Sequence, residues 1–197
     1  MVEKMNKYQA AEQKIIETAQ RIFSQLGFKK TTMDDIAQAV FKAKSSLYHY
    51  FKSKEEIYRA VVEKESRLVK EEIEQGLAAQ SSPAKKLETY VKIRMRALRR
   101  LANFYRAFRE EYLETYGFIQ KIRQDYDRYE IETIKSILAE GVETGIFSVS
   151  NLELTAVAII TAMKGFEYPW AVAPDLAKIE RDIETLIHVL FYGIMKR

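Results

Sequence analysis

Apolar residues recur every three or four positions along most of this chain, and no run alternates convincingly with period two. Such spacing puts apolar groups on one face of an α-helix, whereas a half-buried strand needs alternation. The chain therefore reads as all-α, with about nine helices and no sheet. In residues 11–26, Ala11, Ile15, Ala19, Ile22, Phe23 and Leu26 share a face, and Gly27 stands just past its end. Met33, Ile36, Ala37 and Val40 repeat the pattern after Thr31 or Thr32, either of which can cap the segment. Asp34 and Asp35 lie in its first turn, where acids suit the positive helix end. A third short helix spans Ser45 to Phe51, with Leu47 and Phe51 turned inward. Ser53-x-x-Glu56 is a capping box that opens a fourth helix running to about Gln80.

Ser81-Ser82-Pro83 is the clearest break before the middle of the chain. Beyond it Leu87, Val91, Met95, Leu98 and Leu101 mark a fifth helix, and Ile119 to Leu138 another long one. Ser150-x-x-Glu153 forms a second capping box, before a helix expected to stop short of Pro169. The last helix opens near Asp175 and carries Leu176, Ile179, Ile183, Leu186, Ile187 and Leu190.

Composition removes several classes of function. No cysteine is present among the 197 residues, which excludes disulfides, thiolate catalysis and cysteine-ligated metals. Two histidines, His49 and His188, are too few for a histidine-rich metal site. There is no P-loop, no dinucleotide fingerprint and no histidine–carboxylate cluster, and Glu110, Glu111 and Glu114 read as solvated acids rather than a catalytic pair. An enzyme is not expected, nor is any cofactor. The N-terminus lacks the apolar core of a signal peptide, and the longest apolar stretch, Thr155 to Met163, is about half a membrane span. A soluble cytoplasmic protein without a membrane partner is the expectation.

The formal net charge of +4 resides entirely in residues 1–60, which hold eleven Lys/Arg against seven Asp/Glu. A basic head on a neutral body suggests a polyanion-binding unit joined to one of another kind. Three short helices followed by a long one have the layout of a helix-turn-helix head, in which two helices buttress a third that enters the roughly 12 Å major groove. Its exposed candidates are Lys42, Lys44, Ser45, Ser46, Tyr48, His49, Tyr50, Lys52 and Lys54. Lysines supply salt-dependent affinity for phosphates, while hydroxyls and rings can approach base edges and thymine methyls. On charge and periodicity alone, an ordinary solvated three-helix unit remains a competing reading.

Thr32-Met33-Asp34-Asp35-Ile36-Ala37, followed by Lys44-Ser45-Ser46-Leu47-Tyr48-His49-Tyr50-Phe51-Lys52-Ser53-Lys54-Glu55-Glu56, closely resembles the N-terminal signature of the TetR family of bacterial transcriptional regulators. The resemblance covers roughly residues 11–60; the rest matches only in size and helical layout. It implies a DNA-binding head over residues 1–52 and a ligand-binding, homodimerising body over 53–197. Carried onto this chain, it implies backbone-phosphate contacts for Thr32 and Lys54, and groove-facing positions for Ser45, Ser46, His49 and Tyr50. Tyr48 is expected to be partly packed against the head. One departure stands out. Most members have a glycine, a small apolar residue and a serine or threonine where this chain has Phe41, Lys42 and Ala43. Either Phe41 holds a left-handed turn at a steric cost, or it rotates inward and leaves Lys42 toward phosphate.

In the body, Arg94 falls on the stripe of Leu87, Val91, Leu98, Leu101 and Tyr105. A buried guanidinium there needs a carboxylate, from the protein or from a ligand; the alternative is that it snorkels to solvent. Tyr105, Phe108, Tyr112 and Tyr126 belong to a dense aromatic cluster that suits either a pocket or plain helix packing. The resemblance favours a pocket that Arg94, Leu98 and these rings would line, but it identifies no small-molecule effector. It also assigns dimerisation to the last two helices, through Leu154, Val157, Ala158, Ile183, Leu186, Ile187 and Leu190. The expected function is a sequence-specific repressor of a double-stranded DNA operator, released by a small-molecule effector. The alternative is a helix-turn-helix protein that binds DNA or partner proteins without one.

Overall fold

The computed structural model describes residues 2–101, 103, 117–172 and 176–194, with side chains placed for most of 7–166 in that set and for 181–189, 191 and 192. Among these residues there are eight helices and no strand: α1 Val2–Leu26, α2 Met33–Ala39, α3 Lys44–Leu47, α4 Lys54–Ala78, α5 Pro83–Arg100, α6 Gly117–Glu143, α7 Leu152–Val172 and α8 Leu176–Ile194. No helix among the described residues is long and apolar enough to cross a membrane.

The chain divides into two compact units, residues 1–67 with 102–122 and residues 68–101 with 123–197. In the first, Ile15, Ala19 and Phe23 of α1 are fully buried, as the periodicity predicts. Phe23, Phe28 and Tyr58 form a three-ring cluster with centroids 4.8–5.9 Å apart. Each buried ring removes enough apolar surface from water to contribute about 1.5–3 kcal/mol. Tyr58 donates its hydroxyl to the carbonyl of Asn103 at 3.2 Å. A buried polar node completes this core. Glu65 accepts from Gln20 Nε2 at 2.8 Å and from Asn103 Nδ2 at 2.9 Å. The paired donors allow a carboxylate with 1% exposure to sit there.

The second unit packs α5 against α7 and α8. Leu87, Val91, Ile134, Leu138, Ile159, Met163 and Ile183 are buried within it. Gly141 lies where a Cβ would run into the Phe147 ring, so only glycine lets that ring fold back onto α6.

Three boundaries depart from the sequence reading. Helix α1 starts nine residues earlier than its apolar stripe. Asn151, not Ser150, caps α7 by accepting from Leu154 N at 2.9 Å, and Glu153 instead pairs with Lys135 at 2.7 Å. Helix α7 also continues through Pro169 to Val172. Proline removes its own N–H from the ladder, but the remaining bonds can carry the helix onward.

Candidate nucleic-acid interface

The N-terminal signature builds its surface from helix ends. Helix α1 stops at Gly27, which has φ 79° and donates its N–H to the Phe23 carbonyl at 2.8 Å. Thr31 is buried and donates its hydroxyl to the Gly27 carbonyl at 2.8 Å. Thr32 is the cap of α2. Its Oγ1 accepts from Asp35 N at 3.2 Å, while its own N–H donates to Asp35 Oδ2 at 2.8 Å. The Thr32 hydroxyl and then its backbone N–H hold the Asp35 carboxyl below the usual range.

The turn after α2 is a Schellman closure. Phe41 N donates to the Gln38 carbonyl at 3.1 Å, and Lys42 N to the Ala37 carbonyl at 3.0 Å. That pattern needs a left-handed residue at Phe41, whose φ is 55°. A side chain there costs about 1–2 kcal/mol that glycine avoids. Of the two arrangements the sequence allows, the turn takes the left-handed one. Phe41 points outward with 93% of its surface exposed, and half-buried Lys42 lies with its ammonium 5.6 Å from the Tyr50 ring centroid. Ala43 begins α3 with no side-chain cap, since it replaces a hydroxyl residue by a methyl.

Helix α3 is shorter than its apolar spacing suggests, because residues 48–50 form turns after Leu47. Leu47 is fully buried and anchors it. Ser45, Tyr48 and His49 are exposed, and Ser46 and Tyr50 are half-buried. Tyr50 stacks on Tyr8 of α1 with centroids 4.7 Å apart, and the Tyr8 hydroxyl donates to the His49 carbonyl at 3.2 Å. Tyr8 thus steadies the far end of the segment, a role hidden from the sequence by the polar run around it. Lys44 is exposed and pairs with Asp34 at 2.7 Å, which raises its pKa, first through the hydrogen bond. Water or phosphate can replace a surface pair of this kind at little cost.

Lys54 behaves differently from the other lysines. Its Nζ donates to the Phe28 carbonyl at 2.8 Å and to the Thr31 carbonyl at 2.9 Å, and lies 4.3 Å from the Phe28 ring centroid. The ammonium thus closes the end of α1 onto the start of α4 through two of its three N–H donors, and the phosphate contact that the resemblance implies would fall to the third. Thr32, Lys42, Lys44, Ser45, Ser46, Tyr48, His49 and Tyr50 remain on one continuous stretch around α2 and α3. No acid occurs anywhere in residues 36–54.

In the second unit, Arg94 is 1% exposed and its Nε donates to Glu130, which also accepts from the Tyr90 hydroxyl at 2.9 Å. The guanidinium therefore has a carboxylate of the chain as its partner, and no ligand acid is needed to balance it. Glu130 was legible in principle, one turn after Tyr126 and one turn before Ile134 on the buried stripe of α6. Tyr126 is buried on the same helix. Tyr105, Phe108, Tyr112 and the acids Glu110, Glu111 and Glu114 lie outside the described residues, as do the side chains of Leu98 and Leu190. An open groove of about 690 Å³ lies between α5 and α8, lined by Glu88, Lys92, His188, Phe191 and Tyr192 among others. It contains neither Arg94 nor Tyr126.

Of the dimerisation candidates, Ile183, Leu186 and Ile187 are buried within the protomer, so that stripe is core. Leu154, Val157 and Ala158 face outward on α7. Among the described residues of α8, Val189 and Tyr192 face outward, at 62% and 68% exposure. Among the described residues no group of acids and histidines could hold a metal ion.

Comparison with known proteins agrees with this geometry. A family profile described as bacterial regulatory proteins, tetR family, matches residues 15–61. An HTH-type transcriptional regulator of Bacillus subtilis, YhgD, is 26% identical over 160 residues, covering 79% of this chain and 82% of that protein. The biofilm operon negative regulator IcaR of Staphylococcus epidermidis is 50% identical over 50 residues, only 25% of this chain and 27% of its own. A regulator from Saccharomonospora viridis, solved with choline, superposes with a TM-score of 0.86 at 17% identity, covering 96% of this chain and all of that one. At such identity the last likeness is one of fold.

Proposed function

We propose that the chain is a DNA-binding helix-turn-helix regulator of the TetR family, a reading supported by the family match over residues 15–61, and that it is a homodimeric repressor released from a palindromic operator by a small molecule. The observation that carries this reading is the acid-free surface of residues 36–54, with its exposed hydroxyls, rings and lysines around α3. Ser45, Ser46, Tyr48, His49 and Tyr50 address the groove, while Thr32, Lys42 and Lys44 address phosphates at its rim. The negative regulator with a similar head supports repression.

A single head reads one half-site weakly, so recognition requires two copies about 34–36 Å apart. Leu154, Val157 and Ala158 of α7, with Val189 and Tyr192 of α8, form the seam, because apolar residues this exposed are otherwise a solubility liability. The body holds the effector, and the buried Arg94–Glu130 pair fixes the helices that carry it. The choline bound by a protein of the same fold supports a small-molecule site. Effector and operator then weaken each other's binding reciprocally.

Protection mapping on the source organism's upstream DNA, repeated with a metabolite panel, tests this. A symmetric footprint of two half-sites that one compound erases is expected. A one-sided footprint would contradict the dimer. A footprint that no metabolite alters would favour a helix-turn-helix protein without an effector.

A further inference from the structure

Among the described residues, three helices end on a left-handed residue, and the one that is not glycine lies beside the DNA-reading helix. Helix α1 ends at Gly27 with φ 79°, and α6 at Gly145 with φ 70°. The α6 end is closed by the same Schellman bonds as α2, from Gly145 N to the Val142 carbonyl at 3.1 Å and from Ile146 N to the Gly141 carbonyl at 2.8 Å. At α2 the equivalent position carries Phe41 with φ 55°. A bulky side chain in that conformation is strained. Strain of this kind is tolerated when a buried ring returns packing energy, yet 93% of Phe41 is exposed. Neither the backbone nor the core of the free protein gains from phenylalanine here.

The surroundings limit what the ring can meet. Lys42 and Lys44 flank it, α3 begins three residues later, and residues 36–54 contain no acid. A partner must be anionic over this surface and also offer an apolar group to one ring. The major groove of duplex DNA meets both conditions, and its apolar group is the thymine C5-methyl. We propose that Phe41 is a specificity-determining residue that contacts a thymine methyl at the rim of the groove read by α3. This inference rests on the DNA-binding reading above.

The test begins by selecting duplexes from a random pool with the wild-type protein. Affinity is then measured for wild type and Phe41→Gly on the selected duplex, on a random duplex, and on copies in which single thymines are replaced by deoxyuridine. Loss of one buried methyl contact corresponds to about a fourfold change. Phe41→Gly, which loses the contact in both protomers, is expected to bind the selected duplex about 15-fold more weakly and the random duplex unchanged. One uracil replacement should weaken wild type about fourfold and leave Phe41→Gly unaffected. Because glycine relieves the strain and no buried surface is lost, the thermal midpoint of Phe41→Gly should equal or exceed that of wild type. Undiminished binding of the selected duplex by Phe41→Gly would overturn the proposal. So would equal losses on both duplexes, or the same uracil effect in both proteins. A wild-type protein that selects no duplex would overturn the DNA-binding reading itself, which the other outcomes leave standing.

Discussion

The surface around α3 and the core of the second unit treat charge in opposite ways. Around α3, Lys44 keeps its ammonium at the surface, paired with an exposed Asp34. In the second unit, Arg94 and Glu130 are 1% and 0% exposed and satisfy each other, with Tyr90 as a third member. Exposed cations can exchange water and weak partners for phosphate, and so serve binding. Buried ions cannot exchange at all; they hold one arrangement of the helices around them. A positive residue in this sequence thus implies a ligand only where its partner is replaceable. Lys54 shows the distinction inside the head itself, since its two carbonyl partners belong to the fold.

The largest effect should come from breaking the buried pair. Removing one partner strands a buried charge at a cost of about 3–5 kcal/mol. Glu130→Leu is therefore expected to lower the thermal midpoint by roughly 6–20 °C for a chain of this size. Arg94→Met combined with Glu130→Leu should recover much of that loss, and calorimetry of the single and double variants checks it. If the single variants melted like wild type, the pair would not organise the second unit.

Lys54→Met should cost about 2 kcal/mol, because the Phe28 and Thr31 carbonyls lose their charged donor. Chemical denaturation reads this directly, and a neutral result would return Lys54 to the list of DNA-facing lysines. Gly145→Phe would place a ring in the conformation that Phe41 tolerates, and should cost about 1–2 kcal/mol with no effect on DNA. Its thermal midpoint, compared with that of wild type, measures the strain of a left-handed side chain away from the interface.

The smallest effect belongs to the cap of α2. Thr32→Ala should lose about 1 kcal/mol. The Asp35 carboxyl is lowered in the folded state, so its contribution is complete above the unfolded carboxylate pKa and fades as pH falls through the lower folded value. Wild type should therefore lose part of its advantage over Thr32→Ala in acid, as paired thermal melts across that range would show.

Most of the head was legible because its determinants are local. Gly27, the Thr32 cap, Leu47 and the Ser53–Glu56 contact all lie within four residues of what they control. The pairings that escaped are distant in sequence: Tyr8 with Tyr50, Lys54 with Phe28, and Arg94 with Glu130. A stripe says that a residue faces inward, but only the fold decides which carboxylate arrives opposite it. The same limit applies to α8, where Ile183, Leu186 and Ile187 read equally well as seam or core. The surface left over, Val189 and Tyr192, became visible only once that core had been located.

The claim that replaceable partners mark the DNA-facing cations is tested most directly by the salt dependence of operator binding. Each phosphate contact adds about 0.9 to the log–log slope. Lys44→Ala should reduce the slope by about that amount for each protomer bound, whereas Lys54→Met should leave it unchanged even though the protein is less stable. An unchanged slope for Lys44→Ala, or a reduced one for Lys54→Met, would contradict the account.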